Sequence, residues 1–225
     1  MKRETLQRIL RGIILGLTRT TYEGLEHLPK QGGVLITTNH MSRLDTLLLF
    51  INSERLDVTA LVADKYKKYP LFRWILETGG IIWLDRENAD FGAIRAAVGA
   101  LKQGLALGIA PEGTRSQTAQ LLEGKSGAVL VALKAGVPIV PVAIAGSEVV
   151  IKKALTLRFP KVTVRFGPEY TLPPLDPARR SEQMKEYTDE VMCRIAALLP
   201  EKYHGFYKDH PRIKELQAEM QAAGR

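Results

Sequence analysis

The chain has one cysteine, four scattered histidines and no low-complexity tract. The lone Cys193 excludes an internal disulfide and favours a reducing compartment without fixing it. The histidines show no ligand spacing, so no metal site is expected. No apolar run reaches the roughly 18 residues that a conventional transmembrane helix needs. Neither a G-x-S-x-G elbow nor a G-x-G-x-x-G fingerprint is present. Gly124-Lys125-Ser126 imitates the end of a phosphate-binding P-loop, but Ala119 stands where the first glycine belongs and a polar loop replaces the strand. Acid is also scarce: 24 Asp+Glu face 32 Lys+Arg, a formal charge of +8. That balance favours anionic partners, among them phospholipid surfaces, acidic carrier proteins, phosphorylated metabolites and nucleic acid. No recognisable nucleic-acid reader module occurs, and no nucleic-acid partner is expected.

What is present is the composition of an ordinary globular protein, 45% hydrophobic and 25% charged over 225 residues. Residues 1–20 place Leu6, Ile9, Leu10, Ile13, Ile14 and Leu17 at helical spacing among Lys2, Arg3, Arg8, Arg11 and Arg19. Such a basic amphipathic helix either lies in a membrane interface or docks on its own domain. Residues 21–200 read as the main domain, and 201–225 as a tail helix. Strands are expected at Val34–Thr38, Val58–Ala63, Gly80–Leu84, Leu105–Ala110, Pro138–Ala145 and Val162–Phe166. Helices are expected at Thr46–Asn52, Tyr69–Thr78, Ala89–Gln103, Ser126–Ala135 and about 181–199. The alternation predicts an α/β fold with a largely parallel central sheet flanked by helices and an N-terminal amphipathic helical segment. The prolines of Pro138–Ala145 predict an edge strand or a bulge there.

In open α/β sheets, sites collect beyond the carboxyl ends of strands. His40 and Glu112 both fall there. Asn39-His40-Met41-Ser42-Arg43-Leu44-Asp45 sets an imidazole and a carboxylate five positions apart. The Asp can fix the tautomer of a His acting as general base. Pro111-Glu112-Gly113-Thr114-Arg115-Ser116 offers a tight turn, an acid, hydroxyls and a forked guanidinium suited to phosphate. Gly80 through Arg86 ends a strand in a further arginine, and Val137 through Gly146 is an apolar strand able to wall a cleft or fill a core. Lys65 to Trp74 interleaves cations with aromatics, as a lipid interface, a base-stacking surface or a solvated helix face would.

Four of these blocks, Asn39 to Asp45, Gly80 to Arg86, Glu112 to Ser116 and Val137 to Gly146, in that order along the chain, resemble the PlsC-type glycerolipid acyltransferases, specifically the 1-acyl-sn-glycerol-3-phosphate acyltransferases. The likeness runs from about residue 20 to 170, and N-H-x-x-x-x-D paired with E-G-T-R-S is its specific part. Lys65 also looks like the family's usual lysine. Three positions depart from the pattern: Trp83 and Ala110 where the family more often has Phe, and Arg43 where an aromatic or apolar residue is common.

The resemblance implies acyl transfer from acyl-CoA or acyl-carrier protein to the sn-2 hydroxyl of lysophosphatidate, giving phosphatidate for phospholipid synthesis. No cofactor is implied beyond the donor thioester. His40 would be the base and Asp45 its support. Arg115 and Arg86 would hold the acceptor phosphate, supplemented by Lys65, with Glu112, Gly113 and Thr114 positioning the glycerol. Val137, Pro138 and Ile139 would line the acyl cleft. A peripheral or monotopic place on the cytoplasmic face of the cell membrane follows from the lipid substrates. Alternatives are the same fold acting on glycerol-3-phosphate or another lysolipid, and a non-catalytic basic membrane-binding protein.

Overall fold

A computed structural model describes residues 1–85, 91–150, 153 and 158–223. Its centre is a seven-stranded sheet: β1 (Arg19–Glu23), β2 (Val34–Thr38), β3 (Thr59–Ala63), β4 (Ile82–Leu84), β5 (Ala106–Ile109), β6 (Ile139–Ala145) and β7 (Lys161–Phe166). The spatial order is β1-β7-β6-β2-β5-β3-β4, and every neighbouring pair is parallel except β6 with β7. Every residue of β2 is buried, as expected of a β-branched and Leu run covered on both faces.

The two faces can be read from alternation along the strands. Val34, Ile36, Val140 and Ile144 point towards α1 (Arg3–Leu17) and α2 (Asp45–Phe50). Leu35, Leu107 and Ile139 point towards α4 (Phe91–Lys102), α5 (Gly127–Ala135) and α6 (Arg180–Leu198). A smaller apolar cluster joins α3 (Pro70–Thr78) to Ala60 and Val62 of β3. The tail helix α7 (Pro211–Ala223) packs on α6, burying Ile213 and Leu216 and pairing Arg212 with Glu190.

Three features depart from the sequence reading. β1 was not anticipated; it pairs in parallel with β7, so a boundary at residue 20 falls inside a strand. The proline-bearing β6 is central, flanked by β2 and β7, which corrects the edge-strand alternative, and the extra residue beside it belongs to the partner segment between Phe166 and Tyr170 rather than to β6. Val142 opposes Phe166, whereas the Ile139 bridge is to Tyr170, which inserts one extra residue opposite Pro141. Pro141 uses only its carbonyl there, accepting from Gly167 N–H at 2.8 Å, and its missing donor goes undemanded. The stripe on α1 is split: Leu6 and Ile14 are buried, while Ile9, Ile13 and Leu17 face outward. Arg11 and Gln7 fasten the docked edge by donating to the carbonyls of Ile51, Phe50 and Leu56.

Candidate active site

The chain leaves β2 through Asn39, whose side-chain amide forms a two-way clasp with the Ile144 backbone, both bonds 2.8 Å. That clasp ties the carboxyl ends of β2 and β6 together and points the next residue, His40, out of the sheet. Met41 and Ser42 then curl so that both of their N–H groups donate to Asp45 Oδ2 at 2.7 Å. The same oxygen lies 3.0 Å from His40 Nδ1, and Asp45 Oδ1 accepts from Ser147 Oγ at 2.6 Å. Asp45 is 1% exposed, so a buried carboxylate is held by four donors. A charged group this far from water needs that many partners. With Nδ1–H committed to Asp45, Nε2 is the imidazole's acceptor, and it has no partner among the described residues.

Ser147 is the member that sequence reasoning missed. It follows Gly146, where the backbone has φ +85° and an added Cβ would lie 2.3 Å from the Lys161 carbonyl oxygen. Glycine is required for this turn, and the turn delivers the hydroxyl behind Asp45. The one available signal was its place just beyond the carboxyl end of β6.

The loop after β5 grips His40 by its backbone. Glu112 Oε1 accepts from His40 N–H at 2.8 Å, its Oε2 accepts from Leu122 N–H at 2.9 Å, and Ser116 N–H donates to the His40 carbonyl at 2.8 Å. Glu112 is 2% exposed with both oxygens occupied. Its carboxylate is therefore turned away from the cavity and into the loop, which corrects the expectation that it positions glycerol. Burial pushes the Glu112 carboxyl up to about 7, against the two amide donors that pull it down. Gly113, at φ +68°, turns the chain so that Thr114 and Arg115 line the cavity beside His40.

That cavity runs from His40 between β3 and helices α2 and α3. Its apolar wall comes from Leu47, Phe50, Val62, Phe72, Ile75 and Leu76. Val137, Pro138 and Ile139 are absent from it, a second correction. Ile139 pairs with Leu35 near the start of β2, at the opposite end of the strand from His40, and is fully buried in the other core. Its apolarity serves packing. Lys65, Arg115 and Arg43 also line the cavity. Arg86 lies outside the described residues. Among the described residues no cluster of three or more metal-ligating side chains occurs.

A buried carboxylate orienting an imidazole, at the mouth of an apolar cavity edged with cations, is an arrangement chemically able to move a proton on a substrate that is both greasy and anionic. The profile of the Acyltransferase family matches residues 19–145, and the chain belongs to that family. A probable 1-acyl-sn-glycerol-3-phosphate acyltransferase of Mycoplasma pneumoniae is 37% identical over 128 residues, 54% of this chain and 47% of that protein. The 1-acyl-sn-glycerol-3-phosphate acyltransferase of Cocos nucifera is 29% identical over 191 residues, 83% of this chain and 56% of its own. The chain thus spans about half the length of the curated relatives it matches. The crystal structure of the 1-acyl-sn-glycerophosphate (LPA) acyltransferase PlsC from Thermotoga maritima superposes with a TM-score of 0.63 at 22% identity, over 84% of this chain and 77% of that one. It shows a shared fold.

Proposed function

We propose that this protein transfers an acyl group from a thioester, acyl-CoA or acyl-carrier protein, to the sn-2 hydroxyl of 1-acyl-sn-glycerol 3-phosphate. The observation that carries the reading is the His40–Asp45 pair, 3.0 Å apart, with Nε2 unpartnered among the described residues and beside an apolar cavity edged by Arg115 and Lys65. The names of the relatives support the same substrate.

His40 Nε2 accepts the hydroxyl proton as the oxygen attacks the thioester carbonyl, forming the C–O bond. Collapse of the tetrahedral intermediate breaks the C–S bond, and the proton passes from Nε2 to the departing thiolate. Asp45 supports the imidazolium between those events. A thioester is already activated, so no covalent enzyme intermediate is needed, and general-base assistance of this kind contributes about 10²–10⁴ in rate. Arg115, with Lys65, holds the acceptor phosphate; Thr114 faces the glycerol. Glu112 acts on His40 by fixing its backbone.

The substrates place the protein at a membrane surface, peripherally on the cytoplasmic face. No helix among the described residues is long and apolar enough to cross a membrane. The outward residues Ile9, Ile13 and Leu17 of α1, with Leu71 and Trp74 of the neighbouring α3, form the apolar side that would enter the interface. The test is a panel of acyl-CoA and acyl-carrier donors against lysophosphatidate and glycerol-3-phosphate, with purified protein. Phosphatidate formation from lysophosphatidate is expected; turnover of glycerol-3-phosphate alone would overturn the acceptor assignment.

A further inference from the structure

Arg43 sits inside the His40–Asp45 loop, where none of the dyad's own chemistry requires a cation. The loop is otherwise folded inward: Met41 and Ser42 are buried and their amides are spent on Asp45, which leaves Arg43 as the exposed residue of the curl. Its side chain lines the cavity and has neither a hydrogen bond nor an ion pair among the described residues. Arg115 and Lys65, from the loops after β5 and β3, line the same cavity and likewise have no carboxylate partner among the described residues. Since β2, β5 and β3 are adjacent in the sheet, the three loops bring these cations to one carboxyl edge in the order Arg43, Arg115, Lys65. The only acid among the described lining residues is Asp45, and its oxygens are filled by four donors. Among the described lining residues no further carboxylate is present to balance these three cations.

Resting on the acceptor proposed above, the reacting hydroxyl is one carbon away from the carbon that bears the phosphate. With that hydroxyl at His40 Nε2, the phosphate would lie a few bonds away, in the cavity that Arg43 lines together with His40. We propose that Arg43 is a specificity-determining residue, supplying a second guanidinium to the acceptor's phosphate and selecting a terminal phosphomonoester over a phosphodiester. The stoichiometry of donors and acceptors is the reason. A monoester carries about −1.5 to −2 charges at pH 7 and three terminal oxygens, enough for the forks of two arginines. A diester has one charge and two free oxygens, and one fork uses both.

The test compares lysophosphatidate with its methyl phosphodiester as acceptors, with one acyl donor throughout, in the unaltered protein, Arg43→Gln and Arg43→Lys. Arg43 is exposed and unpartnered among the described residues, so both variants should fold, which thermal melting checks. The ratio of kcat/KM for monoester over diester should fall about tenfold in Arg43→Gln, equivalent to 1.4 kcal/mol, chiefly through KM for the monoester. Arg43→Lys should recover part of the ratio, as a point charge without the fork. An unmoved ratio overturns the proposal, as does a rise confined to the KM of the donor, which would make Arg43 a reader of the donor's phosphate. Failure of the unaltered protein to use either acceptor would instead overturn the function on which the proposal rests.

Discussion

Asp45→Asn tests how the dyad works, because the surroundings of Asp45 dictate which way the new amide must sit. Three donors converge on Oδ2: the Met41 and Ser42 amides at 2.7 Å and His40 Nδ1 at 3.0 Å. An asparagine must put its single carbonyl oxygen there, leaving its NH₂ to donate to Ser147 Oγ, a hydroxyl able to turn and accept. The backbone amides thus keep the acceptor in place, and His40 retains its tautomer and orientation. What disappears is the negative charge beside the imidazolium. Two unit charges 3.0 Å apart interact by about 5 kcal/mol at an effective dielectric of ~20, an upper bound for a site that is partly open to water. A loss of about 10²–10³ in kcat should follow, with the fold intact and KM for the acceptor little altered. Asp45→Ala should lose the same catalysis and also destabilise the loop. Initial-rate kinetics with circular dichroism distinguish the two. An Asp45→Asn protein retaining more than half its kcat would refute the electrostatic role.

Ser147→Ala removes a 2.6 Å bond to a buried carboxylate and should lower kcat about tenfold with little change in KM; a rise in KM alone would count against a positioning role. Asn39→Ala strips the partners from both polar groups of the Ile144 backbone and should cost about 2–4 kcal/mol in urea unfolding. Glu112 gives a pH signature: its carboxyl is raised from 4.5 to about 7 in the fold, so the folded state binds the proton more tightly. Its contribution is complete below pH 4.5 and declines as pH rises to about 7, by about 3 kcal/mol. Glu112→Gln should abolish that slope, measured by unfolding between pH 5 and 8. Ile9→Glu with Ile13→Glu, at positions 47% and 52% exposed, should reduce sedimentation with anionic liposomes at least tenfold without unfolding the protein; unchanged sedimentation would place the membrane contact elsewhere.

The parallel core of the fold was legible because its strands are short apolar runs bounded by turns, and β2 formed over the expected residues. β1 was not: Arg-Thr-Thr-Tyr-Glu carries one large apolar side chain, and its partner β7 lies far along the chain. The His40–Asp45 relation is local and could be read from spacing. Glu112 could be placed at a strand end while Ser147 was missed, and the contacts of neither could be read, since they meet His40 and Asp45 across 72 and 102 residues. Val137 to Ile139 illustrates the converse. Apolarity marked the segment as buried, yet only the sheet register decides which end of the strand and which face it occupies.

The central claim is that His40 moves the proton of the acceptor hydroxyl. The most direct measurement is phosphatidate formation from lysophosphatidate and an acyl thioester by the unaltered protein and by His40→Ala, side by side. The account predicts turnover by the first and a rate lower by at least about 10² in the second, with liposome binding and folding preserved. Comparable turnover by both proteins would contradict it.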